Sequence, residues 1–133
     1  MSTVTTTKCV ELSYEADVHA IFINWKTAPT SAEFRDGMNA VLDMMRKHNT
    51  GVLLGDTCNL GALNPDDQAW SFGPWLQEAL SVGYERFAVV ISPDIFAQMS
   101  VEDTLQEVQA TTTVTIRYFD DLAAARAWLR ETK

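Results

Sequence analysis

Phe87-Ala88-Val89-Val90-Ile91 is an unbroken apolar run in the second half of the chain. Such a short run, rich in β-branched residues, is typical of a parallel strand covered on both faces of its sheet. Val52-Leu53-Leu54 is a second run of this kind and leads into Gly55 and Asp56. Helix-like segments alternate with these strands, which predicts an α/β fold with right-handed parallel crossovers.

The other strand-like segments predict one mixed sheet of five strands. Thr3 to Leu12 and Val18 to Lys26 are rich in β-branched and apolar residues, and the short link from Ser13 to Asp17 predicts an antiparallel hairpin between them. Thr113 to Phe119 alternates apolar and polar residues, as half-exposed edge strands do. The resulting order is β-β-α-β-α-β-α-β-α in a single domain over residues 1–133.

Helix boundaries are marked by local chemistry. Thr30 and Glu33 fit a capping box, and Asn64-Pro65 supplies an N-cap and a first-turn proline. Gly73-Pro74 interrupts the second helix and opens a third. Further helical segments are predicted after Pro93, from Ser100 to about Gln109, and after Asp120-Asp121.

Composition limits the function classes. The 133-residue chain is 47% hydrophobic and 21% charged, with a formal net charge of -8. The excess of acidic residues disfavours a nucleic-acid-binding surface, because such a surface needs clustered basic residues. No run reaches the length of a membrane span, and the threonine-rich start has no signal-peptide core, so we expect a cytoplasmic protein.

No motif for catalysis, a metal or a cofactor is present, so we expect a non-enzymatic protein without either. There is no glycine-rich phosphate loop and no close pair of metal-ligating residues. His19 is interpreted as a strand residue, and His48 as a cation that complements a helix end. Cys9 and Cys58 are interpreted as reduced and mainly buried, with the reactivity of Cys58 left open.

Two groups of residues form the candidate ligand site. Asp56, Thr57 and Asn59 follow a predicted parallel strand, where open α/β sheets bind ligands, although these residue types also cap turns. Trp70, Phe72 and Trp75 surround the Gly-Pro break, where they either fill the core or line an apolar cavity. With Asp66 and Asp67 in the first helical turn, the expected ligand is apolar or aromatic rather than anionic.

Several short segments resemble the STAS-like proteins, in particular the small stand-alone bacterial SpoIIAA-like branch. The segments that carry the resemblance are Trp25, Glu33-Phe34-Arg35, Gly55-Asp56-Thr57, Asp67-Gln68-Ala69-Trp70, Gly83 to Val90, Met99 to Glu102, Tyr118 to Asp121 and Trp128-Leu129. The resemblance implies a mixed sheet wound as a βα superhelix, with helices mainly on one side. The family is also distantly similar to the CRAL-TRIO lipid-binding folds, and this similarity is compatible with an apolar ligand.

For function, the resemblance implies a regulatory protein that binds a partner protein or a small apolar ligand. Regulatory STAS domains carry a phosphorylatable hydroxyl where this chain has Asn64-Pro65-Asp66-Asp67. One rival hypothesis is a regulator of the anti-sigma-factor-antagonist type that is switched by phosphorylation. The other is a small enzyme that uses the Asp56-Thr57-Cys58 loop. Both apolar strands need covering on their second face, either by the first hairpin or by another copy of the chain, and we also expect a homodimer.

Overall fold

The computed structural model describes residues 4–6, 9–60, 64–91 and 114–131. The strands are β1 (Val4–Thr6), β2 (Val10–Glu15), β3 (Ala20–Trp25), β4 (Val52–Asp56), β5 (Arg86–Val90) and β6 (Thr115–Phe119). The helices are α1 (Ser31–His48), α2 (Pro65–Phe72), α3 (Pro74–Ser81) and α4 (Leu122–Glu131). The helices predicted after Pro93 and from Ser100 lie outside the described residues.

The strands form a single mixed sheet in the order β1-β2-β3-β4-β5-β6. The β1-β2-β3 part is antiparallel, and β3 to β6 are parallel to one another. The predicted α/β class and mixed sheet are confirmed, with β5 inside the sheet and β6 at its edge.

The sheet has six strands rather than the predicted five. The prediction of Thr3 to Leu12 as a single strand is wrong, because this segment contains β1 and the beginning of β2. The chain reverses between β1 and β2, so that Val4 lies opposite Ser13. No glycine, proline, asparagine or aspartate marks this reversal in the sequence. The predicted turn from Ser13 is also misplaced, because β2 continues to pair with β3 as far as Glu15.

Among the described residues, α1, α2 and α3 cover the first face of the sheet. The residues of α1 that point to the sheet include Phe34, Val41 and Met45, and all three are buried. Gly37 lets this helix approach β3 closely, since an added Cβ would lie 3.0 Å from the ring of Trp25. The predicted capping box at the start of α1 is confirmed in both directions.

The second face is covered by α4 over its central strands. Ala125 and Leu129 are buried against a cluster that includes Leu54, Ala88 and Val90. The predicted need for the first hairpin or a second copy to cover these strands is therefore wrong, because α4 covers them. The homodimer stays a prediction, without this argument for it.

Two arginines of α4 fix it to the β2-β3 hairpin. Arg126 donates to both carboxylate oxygens of Glu15, at 2.9 and 2.8 Å, and its guanidinium lies 5.3 Å from the ring centroid of Phe22. Arg130 pairs with Asp17 at 2.8 Å. These contacts place the last described helix against the β2-β3 hairpin near the start of the chain.

Candidate functional site

A buried carboxylate joins the starts of α1 and α2. Asp67 accepts hydrogen bonds from Ser31 Oγ at 2.6 Å, from Arg35 Nε at 3.0 Å and from Asn64 Nδ2 at 3.0 Å. The side chain of Asn64 in turn accepts from the Asp67 backbone N–H at 2.8 Å, as an N-cap does. We call these four residues the Asp67 network.

The Asp67 network keeps its carboxylate charged. Burial by itself raises the pKa of Asp67, but the hydrogen bonds from Ser31 and Arg35 outweigh burial and hold the pKa below its usual value. The side chain of Asp67 is 4% exposed, whereas that of Arg35 is 38% exposed. The network therefore has a fixed, buried anion and a cation that reaches solvent.

Aromatic rings extend from this network into the first face. The Arg35 guanidinium lies 5.2 Å from the ring centroid of Trp70, which makes an edge contact with Phe34 at 6.2 Å between centroids. Phe34 stacks on Trp25, the last residue of β3, at 5.6 Å. Trp70 and Arg35 are half-buried, so this line of rings ends at the surface beside the network.

The predicted loop residues lie at the carboxyl end of β4. Asp56 accepts the backbone N–H of Cys58 at 3.0 Å, which is a turn-forming role. Thr57 is buried and donates from Oγ1 and from its backbone N–H to the carbonyl of Val90, at 2.8 and 3.0 Å. Asn59 is exposed. Thr57 thus joins the ends of β4 and β5.

The predicted aromatic residues occupy different places. Trp75 is buried, donates from Nε1 to the Met38 carbonyl at 2.8 Å and packs edge-on against Tyr84. It therefore links α3 to α1 within the core, while Trp70 reaches the surface. Phe72 is the last residue of α2, and its side chain lies outside the described part of the structure. A ligand-binding role for these residues stays a prediction.

The surroundings of Cys58 disfavour the thiolate form of its side chain. Burial, and then the hydrogen bond and negative charge of Asp56, raise the pKa of this thiol to about 11.

Within the described ranges, no group of three or more His, Cys, Asp or Glu side chains is placed to hold a metal ion.

A comparison of the chain with models of protein families identifies its family. The family model described as SpoIIAA-like matches residues 20–130. The chain belongs to the SpoIIAA-like family. The matched region runs from β3 into α4, and so contains the Asp67 network and the aromatic residues beside it. No curated protein and no solved structure matched the chain.

The SpoIIAA-like assignment confirms the predicted resemblance. In the described ranges, no helix is long and apolar enough to cross a bilayer. The sequence did not predict any member of the Asp67 network as a site residue: Asn64 and Asp67 were interpreted only as residues of a helix start, and no role was predicted for the side chains of Ser31 and Arg35. They lie 36 and 32 positions from Asp67, so no local spacing pattern connects them to it. Arg35 was part of a segment that carried the family resemblance, which is the only signal for it in the sequence.

Proposed function

We propose that this SpoIIAA-like protein is a non-enzymatic regulatory protein that binds a partner protein at the surface formed by the starts of α1 and α2. The observation that carries this proposal is the stacking of a partly exposed Arg35 on a half-buried Trp70. Arginine and tryptophan are the residue types most enriched among the residues that dominate binding energy at protein interfaces.

The Asp67 network supports the proposal because it fixes the geometry of this surface in advance. Arg35 donates from Nε to the Asp67 carboxylate at 3.0 Å and from Nη2 to the Asp66 carbonyl at 3.5 Å, so its guanidinium is held in place from the start of α2. A side chain that is already ordered loses less conformational entropy when it binds. The arrangement therefore favours recognition of a partner over a purely structural role for Trp70.

The rival hypotheses are less well supported by the same residues. A phosphate added at the start of α2 would lie beside the Asp67 carboxylate, which Asn64 contacts at 3.0 Å, and like-charge repulsion would oppose it. A cysteine enzyme requires a thiolate, whereas the pKa of Cys58 is raised to about 11. Both observations favour binding without covalent chemistry.

A small apolar ligand is the second candidate, favoured by the line of rings from Trp25 through Phe34 to Trp70. In that case binding involves the ring of Trp70, with one or two polar contacts from Asp56, Thr57 or Asn59. The buried position of Trp75 makes it a support for such a site through its contact with the backbone of α1. The two candidates differ in whether Arg35 contributes to binding.

The test uses a photo-crosslinking amino acid in place of Ala69, which is exposed on α2 beside Trp70. The matched control places it at Ala123, which is exposed on α4 on the second face. Proteins crosslinked in cells from position 69 are identified by mass spectrometry, purified and titrated by calorimetry. We expect Trp70→Ala and Arg35→Ala each to weaken binding by about 2 kcal/mol.

Equal crosslinking from both positions, or unchanged affinity in both variants, would contradict the proposal. A defined small molecule that co-purifies with the protein and is lost in Trp70→Ala but retained in Arg35→Ala would favour the second candidate. Cytoplasmic localisation is part of this proposal and is checked by fractionation of the same cells.

A further inference from the structure

At the amino ends of the parallel strands, opposite the candidate site, three rings come together. The imidazole of His48, the last residue of α1, stacks on the phenol of Tyr14 with 4.1 Å between centroids and 3° between planes. The Tyr14 hydroxyl hydrogen-bonds to Nδ1 of His19. We call Tyr14, His19 and His48 the ring cluster, and it contains both histidines of the chain.

The ring cluster joins two backbone segments in left-handed conformations. His19 in the β2-β3 turn and Asn49 at the end of α1 both have φ of 51°. His19 Nε2 lies 3.1 Å from the carbonyl oxygen of Asn49, and Thr50 Oγ1 donates to the carbonyl of His19 at 2.6 Å. Because the Asn49 carbonyl only accepts, Nε2 of His19 carries the proton and Nδ1 accepts from Tyr14.

The ring cluster contains an unsatisfied polar atom. Nε2 of His48 is buried and has no hydrogen-bond partner. The groups that face this ring are Tyr14 from β2, His19 from the turn and Lys47 from α1 itself, and none of these is an acid. Among the described residues, no carboxylate forms an ion pair with either histidine. A buried polar atom without a partner requires an explanation.

We propose that the ring cluster is an acid-sensitive switch that loosens the junction between the β2-β3 turn and the end of α1 as the pH falls below neutral. A proton on Nε2 of His48 creates a buried cationic donor that has no acceptor and lies near Lys47 and His19. This proton weakens the stacking of His48 on Tyr14, which holds the two segments together.

The sign follows from the environment of His48. Burial, and then the positive charge of Lys47, hold the pKa of His48 below its ordinary value. The folded state therefore binds fewer protons than the unfolded state below about pH 6.5, and the junction loses stability as the pH falls through this window. This switch is independent of the proposed function, because its residues lie at the other end of the sheet.

The test compares amide hydrogen exchange at residues 46–50 with that of α3 at pH 7.5 and pH 5.5, after correction for intrinsic exchange. In the unaltered protein, opening at residues 46–50 should increase at pH 5.5 by at most about tenfold, because this pH lies about one unit below the ordinary histidine pKa of about 6.5. His48→Phe keeps a flat ring on Tyr14 and removes the titration, so its exchange should not respond to pH. Tyr14→Phe should keep the response of His48.

Each alternative outcome overturns the proposal. Exchange that changes equally in α3 and at residues 46–50, or a His48→Phe variant that keeps the full response, would show that the ring cluster is not the switch. If His48→Phe does not fold, histidine ring signals followed by NMR in the unaltered protein decide the question. A His48 that titrates at or above the ordinary histidine pKa would overturn the proposal.

Discussion

Replacing Asp67 with alanine tests whether the starts of α1 and α2 are held together by a buried ionic network. Removing one partner of a fully buried ion pair costs about 3–5 kcal/mol, because the other charge stays buried without a partner. Here Arg35 is 38% exposed and regains water, so the loss is smaller. The variant loses three side-chain hydrogen bonds of about 1 kcal/mol each, but it no longer has to bury a carboxylate, which offsets part of that loss. We therefore expect the free energy of unfolding to fall by about 2 kcal/mol.

The same prediction has a pH dependence with a defined sign. The pKa of Asp67 is lower in the folded protein than its usual value, so its stabilising contribution is complete above about pH 3.9 and is lost as the pH falls through the folded value. The difference in unfolding free energy between the unaltered protein and Asp67→Ala should be constant between pH 5 and 7. It should become smaller below pH 4.

The assay is urea unfolding followed by circular dichroism, with the free energy obtained by linear extrapolation. Asp66→Ala is the matched control, because Asp66 is exposed at the next position and contacts Arg35 only through its backbone carbonyl. It should cost no more than about 1 kcal/mol, the size of a helix-dipole effect. Equal losses in the two variants would refute the role assigned to the network.

Three further predictions concern other parts of the molecule. Gly51→Ala should lower stability by about 3 kcal/mol or more in thermal unfolding, since its Cβ would lie 1.7 Å from the Gly83 carbonyl oxygen, whereas Gly83→Ala, in open space at φ +92°, should cost about 1–2 kcal/mol; equal losses would contradict this. Cys58 should react with iodoacetamide at pH 8 about a hundredfold more slowly than a thiol of pKa 9.0, and an ordinary rate would disprove its protection. Glu15→Ala and Arg126→Ala should show a coupling energy of about 1 kcal/mol in a double-mutant cycle, and strict additivity would rule out the ion pair as a tie for α4.

Local chemistry predicted the elements whose determinants lie close together in the sequence. The capping box of Thr30 and Glu33 and the N-cap at Asn64 were found because each involves residues three positions apart. The reversal between β1 and β2 was missed because it contains none of the residues that mark turns.

The site depended on long-range contacts that the sequence does not display. Asp67 was interpreted as an acid at a helix start, and the structure adds partners on α1. Trp70 and Trp75 were treated as equivalent because both flank the Gly73-Pro74 break, yet one reaches the surface and the other donates to the backbone of α1. The roles of the two tryptophans differ because they lie on different helices, and tertiary packing sets the direction of α3 beyond the break.

The order of strands in the sheet repeats their order along the chain, which has a consequence for synthesis. A polypeptide leaving the ribosome can add each parallel strand to one growing edge, without inserting it between two strands that are already paired. The second face is different, because α4 follows β6 and its Arg126 reaches a residue 111 positions earlier. Leu54 and Ala88 therefore lack the cover of Ala125 and Leu129 until α4 has emerged, and in a nascent chain stalled at Phe119 the described residues would leave this apolar surface open to chaperones.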